Sequence, residues 1–211
     1  TTRGDFHYPP MIAANNRAKI EAACAKGQTS IYSTGSSPGF ITEAFVLPLL
    51  SIARQHDLLT IDEYADVSSR ASPEMLFQVM GFGQPMAPFD QRRAEHLKGD
   101  FGSSLSQIAE AIGLPLDEIE ALGELSAARK TVQIAAGTVE AGTVGAMRIT
   151  ITGKHKGRAV LRFRANWYVT TDVEADWNLR ESGWRVETQG DTPLLVNVHF
   201  PVPAEDYAAF T

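Results

Sequence analysis

The segment Gly35-Ser36-Ser37-Pro38-Gly39 is the part of the chain whose residue types and spacing point most directly to chemistry. It fits G-x-S-x-G, the elbow that presents a nucleophilic serine between a strand and a helix. Ser37 would be the nucleophile. His199, with Asp172 or Asp176 before it, completes the order serine, acid, histidine. Two features weigh against a serine hydrolase. Pro38 has no N–H, and the elbow's oxyanion hole uses the N–H that follows the nucleophile. Only one predicted helix precedes the strand, whereas an elbow needs a sheet to hold it. Without that chemistry the segment is a tight turn. Gly35 and Gly39 let a backbone come close, and the amides before a helix starting near Ile41 can face a polar or anionic group.

A second group lies on a predicted strand, Leu58 to Ser68, that is otherwise rich in apolar residues. Glu63 and Asp66 are its acids. Alternation puts Tyr64, Asp66 and Ser68 on one face. A polar face within a sheet suits a ligand surface, a subunit contact or solvent. The five histidines, at positions 7, 56, 96, 155 and 199, show no metal-binding spacing, so no metal is expected. Gly81-Phe82-Gly83 does not continue into a dinucleotide fingerprint, and there is no P-loop. Trp167, Tyr168, Trp177 and Trp184 sit in predicted strands. Packing is their default role, and a substrate wall is the alternative.

The elements that must position these groups divide the chain in two. A helix is expected from Pro9-Pro10 to about Lys26, stopped by Gly27. Thr29 to Ser33 reads as a short strand. Ile41, Phe45, Leu49 and Ile52 recur with helical spacing to Gln55, with Pro48 as a kink. Ser72-Pro73-Glu74 opens another helix. Asp90 to Gly113 is helical with a break near Gly99 to Gly102, and Asp117 to Leu125 is a short helix or turn. Beyond Ala128 the pattern turns to period two. Met147, Ile149 and Ile151 form one face, and Ala159, Leu161, Phe163, Ala165 and Trp167 another. Trp184 to Thr188 and Leu194 to Phe200 add two strands, and Pro201 to Thr211 reads as a loop. Helices first and an antiparallel sheet afterwards make an α+β fold.

Composition bounds the rest. The 211 residues are 44% hydrophobic and 21% charged with net charge −6, which suits a packed globular chain. The chain begins Thr-Thr, which suggests a processed product or a fragment. One cysteine, Cys24, excludes an internal disulfide and fits a reducing cytoplasm. No apolar run approaches membrane-spanning length, and the acidic balance argues against nucleic acid as a partner. Six bases and no acid lie between Ala141 and Thr171, leaving 13 bases against 25 acids elsewhere. The basic run suits a solvated hairpin face, a phosphate or an acidic neighbour.

Thr34-Gly35-Ser36-Ser37-Pro38-Gly39-Phe40, then Asp66-Val67-Ser68-Ser69-Arg70, resembles the dihydrodipicolinate reductase-like family, which includes 2,4-diaminopentanoate dehydrogenase and native amine dehydrogenases. Gly137 to Val144 and the turn Gly190-Asp191-Thr192-Pro193 are similar to it too. The resemblance implies that residues 1–40 are the last helix–strand unit of a Rossmann domain. It implies that residues 41–211 are an α+β substrate-binding and dimerisation domain with a mainly antiparallel sheet. The cofactor would be NAD or NADP, bound with Thr34, Gly35, Ser37, Pro38 and Phe40. Substrate would meet Ser37, Phe40, Tyr64, Asp66 and Ser68. The chain would then be the substrate portion of an oxidoreductase, transferring hydride to or from an imine or carbonyl-derived small molecule, in a homodimer. The family commonly has asparagine where Ser37 stands. Its catalytic glutamate would lie before Thr1, so no catalytic residue is assigned. A different class stays open: a non-catalytic dimerisation or small-ligand-binding module.

Overall fold

The structure is a computed structural model and describes Thr1 and residues 6–199. Its centre is a six-stranded sheet. In chain order the strands are β1 (His56–Asp66), β2 (Glu118–Ala127), β5 (Val144–His155), β6 (Arg158–Tyr168), β7 (Gly183–Gly190) and β8 (Leu194–Val198). Two short strands, β3 (Val132–Ile134) and β4 (Gly137–Val139), form a separate hairpin. The order across the large sheet is β2-β5-β6-β1-β7-β8. All neighbours are antiparallel except β1 and β6, which run parallel from Leu59 beside Leu161 to Asp66 beside Tyr168. The expected α+β fold with a mainly antiparallel sheet is what forms.

Alternation decides the two faces of the sheet. Leu59 and Ile61 of β1, Ile149 and Ile151 of β5, Leu161, Phe163 and Ala165 of β6, and Val186 of β7 enter one buried core. The helix α3 (Gln91–Ala111) covers this face with Ala94, Phe101, Leu105, Ile108 and Ala109. Phe101 stacks on Phe163 with ring centroids 4.1 Å apart. Asp90 caps the helix by accepting the Arg92 N–H at 3.1 Å. The expected break at Gly99 to Gly102 does not occur. Gly102 is buried where a side chain would press Ile119 at 3.4 Å, so the small residues let helix and sheet approach instead of ending the helix. A second core gathers Val67, Leu76, Phe82, Val139, Val144, Met147 and Val169.

Four local expectations are corrected. Asp117 to Leu125 is neither helix nor turn: Ile119, Ala121, Gly123 and Leu125 face inward between exposed Glu118, Glu120, Leu122 and Glu124, which is the period of a strand. Thr29 to Ser33 carries no strand, because no described strand lies beside it to complete a ladder; Ile31 and Tyr32 are exposed. The first helix is split. Pro9–Met11 is a single tight turn, Ala13 is extended (ψ 129°), and α1 runs Ala14–Gly27 with Gln28, not Gly27, in the left-handed cap at φ 47°. The long helix expected to Gln55 is two pieces. A wide-turned segment spans Ser36–Ala44, and α2 spans Val46–Leu50. Among the described residues of 1–40, the helix–strand unit expected there has the helix α1, none of whose residues is buried, and no strand. Phe200 and the tail expected to be a loop lie outside the described residues.

The other sheet face is polar and internally tied. The Asp62 carboxylate, 3% exposed, takes both an Nε–H and an Nη2–H bond from Arg164, the latter at 2.6 Å. Burial works against the Arg164 charge, but Asp62 outweighs it and holds the guanidinium above its ordinary range. Arg148 donates to Asn166 at 2.6 Å and lies over the Trp177 ring, and burial pulls its pKa below the ordinary value. Lys154 pairs with Glu118 and Glu120. Three of the six clustered bases therefore meet acidic or polar neighbours within the chain and are not a plain solvated face.

Candidate functional site

The loop Gly35 to Phe40 divides two cavities. Its shape follows from its glycines. A side chain at Gly35 would stand 2.7 Å from the Pro38 carbonyl oxygen, so the loop could not fold back on itself with any other residue there. Gly39 has φ 128°, in the region that L side chains avoid. Ser37, at φ −149° and ψ 108°, is extended. Regular helix begins only at Phe40, whose N–H reaches back to the Gly35 carbonyl at 2.8 Å.

On one side lies a cleft of 810 Å³ with an apolar wall of Met75, Val79, Met80, Leu97, Met147 and Ile149. It sits at the carboxyl ends of the β1–β6 parallel pair, the position where open sheets with such pairs take ligands. Glu63, Ala65 and Arg70 border both this cleft and an adjoining 200 Å³ recess that reaches Ser36 and Trp184. Glu63 is the junction. Its Oε1 accepts the Trp167 indole N–H at 3.1 Å, and its Oε2 accepts the Trp184 indole N–H at 3.2 Å. Trp184 also donates to the Ser37 hydroxyl at 2.9 Å. Among the described residues no cation lies within ion-pair distance of Glu63. Two neutral donors fix the carboxylate without cancelling its charge. At the rim, Arg92 is clasped by Asp90, whose carboxyl those hydrogen bonds lower to about 2. Arg93 is spent on the carbonyls of Val79 and Met80. The Arg70 side chain makes no hydrogen bond or ion pair among the described residues.

On the other side is a cavity of 580 Å³ bordered by Thr34, Gly39, Phe40, Glu43, His7 and Gln107, among others. Glu43 is 7% exposed. One of its oxygens takes the Gly39 N–H at 2.7 Å and the Thr42 hydroxyl, which pins the loop to the helix that follows. That bond changes the expected role of the loop amides. The Gly39 amide is already held by a carboxylate, so this helix start repels an anion instead of attracting one.

The structure sorts the sequence-predicted residues. Ser37 lines neither cavity but meets the Trp184 indole that also bonds Glu63, while Thr34 and Phe40 border the opposite cavity. Gly35 and Pro38 shape the loop and border neither space. Tyr64 touches the small recess, but its ring joins Ala146, Tyr168 and Val173 on the far sheet face beneath Arg180, and burial raises its pKa. Asp66 is exposed and caps the turn by accepting the Ser68 N–H at 2.9 Å; neither Asp66 nor Ser68 borders the described cavities. The polar face of β1 therefore points away from the cleft, and Glu63, on the apolar face with Leu59 and Ile61, points into it. Parity held that signal: a carboxylate in phase with the core residues of its strand. Trp167 and Trp184, for which a substrate wall was the alternative to packing, line the cleft and its recess.

The hydrolase arrangement does not assemble. The partner of Ser37 is an indole, the His199 ring sits 3.2 Å from the Ser182 carbonyl oxygen, and Asp172 pairs with Lys130 at 3.0 Å. Among the described residues, no group of three or more His, Cys, Asp or Glu side chains is placed to hold a metal, and no helix is long and apolar enough to cross a membrane.

No protein-family model matches the chain. It is 25% identical over 199 residues to an amine dehydrogenase of Streptomyces virginiae, an alignment that covers 92% of this chain and 55% of that protein. Its fold superposes on the structure of amine dehydrogenase from Mycobacterium smegmatis with a TM-score of 0.68 at 16% identity, covering 97% of this chain and 59% of that one. The chain thus spans somewhat more than half the length of these proteins, and across nearly all of its own length it shares the fold of an amine dehydrogenase.

Proposed function

We propose that this chain is the substrate-binding portion of an NAD(P)-dependent oxidoreductase of the amine dehydrogenase type, in which hydride passes between the nicotinamide and an amine or its imine. The observation that carries this reading is the Glu63 carboxylate, which borders an apolar cleft and has no cation within ion-pair distance among the described residues, although Arg70 lines the same cleft. An ammonium or iminium group supplies the missing charge and the N–H donors, and the apolar wall takes the carbon skeleton. Trp167 and Trp184 hold the carboxylate at both oxygens, so little reorganisation is needed when the ligand arrives. Ser37, bonded to Trp184, ties the loop to that arrangement.

The cofactor would lie against the Gly35 to Phe40 loop, with its nicotinamide within reach of the Glu63 cleft so that hydride can pass directly. A bound nicotinamide supplies the hydride acceptor and donor. Thr34 and Phe40 line the 580 Å³ cavity behind the loop and would support it from that side. In this reading residues 1–40 belong to the nucleotide-binding half, which is supported by the unburied α1 and by exposed Ile31 and Tyr32. The far sheet face, with Leu122 and Leu195 about half exposed, pairs two copies into a homodimer. The similarity to amine dehydrogenases supports the reaction class.

The test is a spectrophotometric assay of the complete protein at 340 nm, with aliphatic primary amines and NAD+ or NADP+. Turnover is expected, and Glu63→Gln is expected to lower kcat/KM by about 10–100-fold, the worth of a charge-assisted hydrogen bond. Turnover unaffected by that substitution would sink the assignment of Glu63.

A further inference from the structure

Glu63 stands between two spaces of unlike character. The 810 Å³ cleft on one side has an apolar wall. The 200 Å³ recess on the other is bordered by Ser36, Arg70, Ser182 and Trp184, among others. It lies at the end of the β1–β7 pair, where Tyr64 stands opposite Gly183, and the loop after Thr34 brings Ser36 to it.

The polar groups of the recess are not used up by the chain. The Ser36 hydroxyl makes no hydrogen bond among the described residues. Ser182 Oγ accepts the Asp66 N–H at 2.9 Å, which leaves its own hydrogen to donate. Each Glu63 oxygen holds one indole N–H and keeps capacity for a further donor. Donors and acceptors therefore border a space far smaller than the cleft. It is ample for molecules of the size of water, about 30 Å³ each in the liquid.

Amine oxidation needs such a molecule. Once hydride has passed to NAD(P)+, the iminium that remains must gain water and lose ammonia. In the reverse direction ammonia enters and water leaves. An apolar wall accommodates neither of them, since each would lose its hydrogen bonds there.

We infer that the recess is the pocket for ammonia and water, with Ser36 and Ser182 orienting the molecule and Glu63 moving its protons. This rests on the dehydrogenase reading and extends it to two serines outside the apolar cleft. As the water oxygen bonds to the iminium carbon, a water proton passes to Glu63. Glu63 returns it to nitrogen, and the C–N bond breaks with its electron pair going to nitrogen. The carbonyl forms, and the remaining hydroxyl proton passes through Glu63 to the departing ammonia, which leaves as ammonium. The Arg70 cation on the same border disfavours ammonium, which favours in the reverse direction the neutral ammonia whose electron pair can attack.

The experiment is steady-state kinetics of the complete protein in the aminating direction. NADH or NADPH is followed at 340 nm with an aliphatic ketone, and ammonium and ketone are varied in turn. Ser36→Ala removes one hydroxyl and is expected to raise KM for ammonium about 2- to 10-fold, the worth of one hydrogen bond. Ser36→Val also fills the space and is expected to raise it further. KM for the ketone is expected to stay near the parent value in both. Ser182→Ala gives the same comparison if either variant folds poorly. An unchanged KM for ammonium in these variants overturns the inference, and so does a KM for ketone that rises equally. In both cases turnover is present and the dehydrogenase reading stands. If no ketone is aminated and no amine oxidised, both fall together.

Discussion

Glu63 and Trp184 stand directly opposite each other across the antiparallel β1–β7 pair, and the indole N–H donates to the carboxylate at 3.2 Å. The same N–H reaches the Ser37 hydroxyl, 147 positions away in the chain, at 2.9 Å. One tryptophan therefore couples the strand that carries the acid to the loop that separates the two cavities. Trp184→Phe keeps most of the ring and removes only the donor. It is expected to lower kcat/KM for amines by several-fold to about 10-fold, the scale of one hydrogen bond. The loss should shrink when Glu63→Gln is already present, which a double-mutant cycle will show.

The Asp62–Arg164 pair fixes the register of β1 against β6 from the face opposite the cleft, since the two residues are partners in that parallel ladder. Asp62→Ala leaves a half-buried guanidinium without its carboxylate. The expected cost is about 3 kcal/mol, near the low end for a broken buried pair because the Arg164 side chain is 29% exposed. Urea denaturation will read this as a lower midpoint at unchanged slope. Adding Arg164→Met should recover a large part of the loss.

Gly39 has a backbone conformation that an L side chain strains, and a Cβ there would also press the His7 ring. Gly39→Ala is expected to destabilise the protein by about 1–2 kcal/mol. It should weaken nicotinamide dinucleotide binding as well, because the loop amide that Glu43 holds would move. A melting curve and a titration calorimetry run on the same sample check both effects.

Asp90 begins α3 and clasps Arg92, and those bonds lower its carboxyl from the ordinary aspartate range to about 2. A folded-state value below the unfolded one makes the contribution present above pH ~4. It is lost as the pH falls from there through about 2. An NMR titration of the Asp90 carboxyl carbon should show its midpoint near 2, and Arg92→Ala should return it toward the ordinary range.

The sequence determined the strands whose apolar residues alternate without interruption. β5 and β6 are examples: over 147–151 and 161–165 buried apolar residues alternate with half-buried polar ones, and that alternation restricts the register. It also determined that the Gly35 to Phe40 loop would matter, because two glycines permit backbone angles that other residues avoid and a proline fixes its own. β2 was not legible, because Leu122 and Leu125 fall on opposite faces and blur the alternation. Which of the two faces of β1 would meet the cleft was not legible either. That depended on α3 covering one face only, and on Glu63 sharing the parity of the covered residues. The tertiary structure alone decided the meeting of Ser37, Glu63, Trp167 and Trp184, and that of His7, Glu43 and Gln107. Such convergence is set by strand order and helix docking, and local spacing carries no record of groups brought together from more than a hundred residues apart.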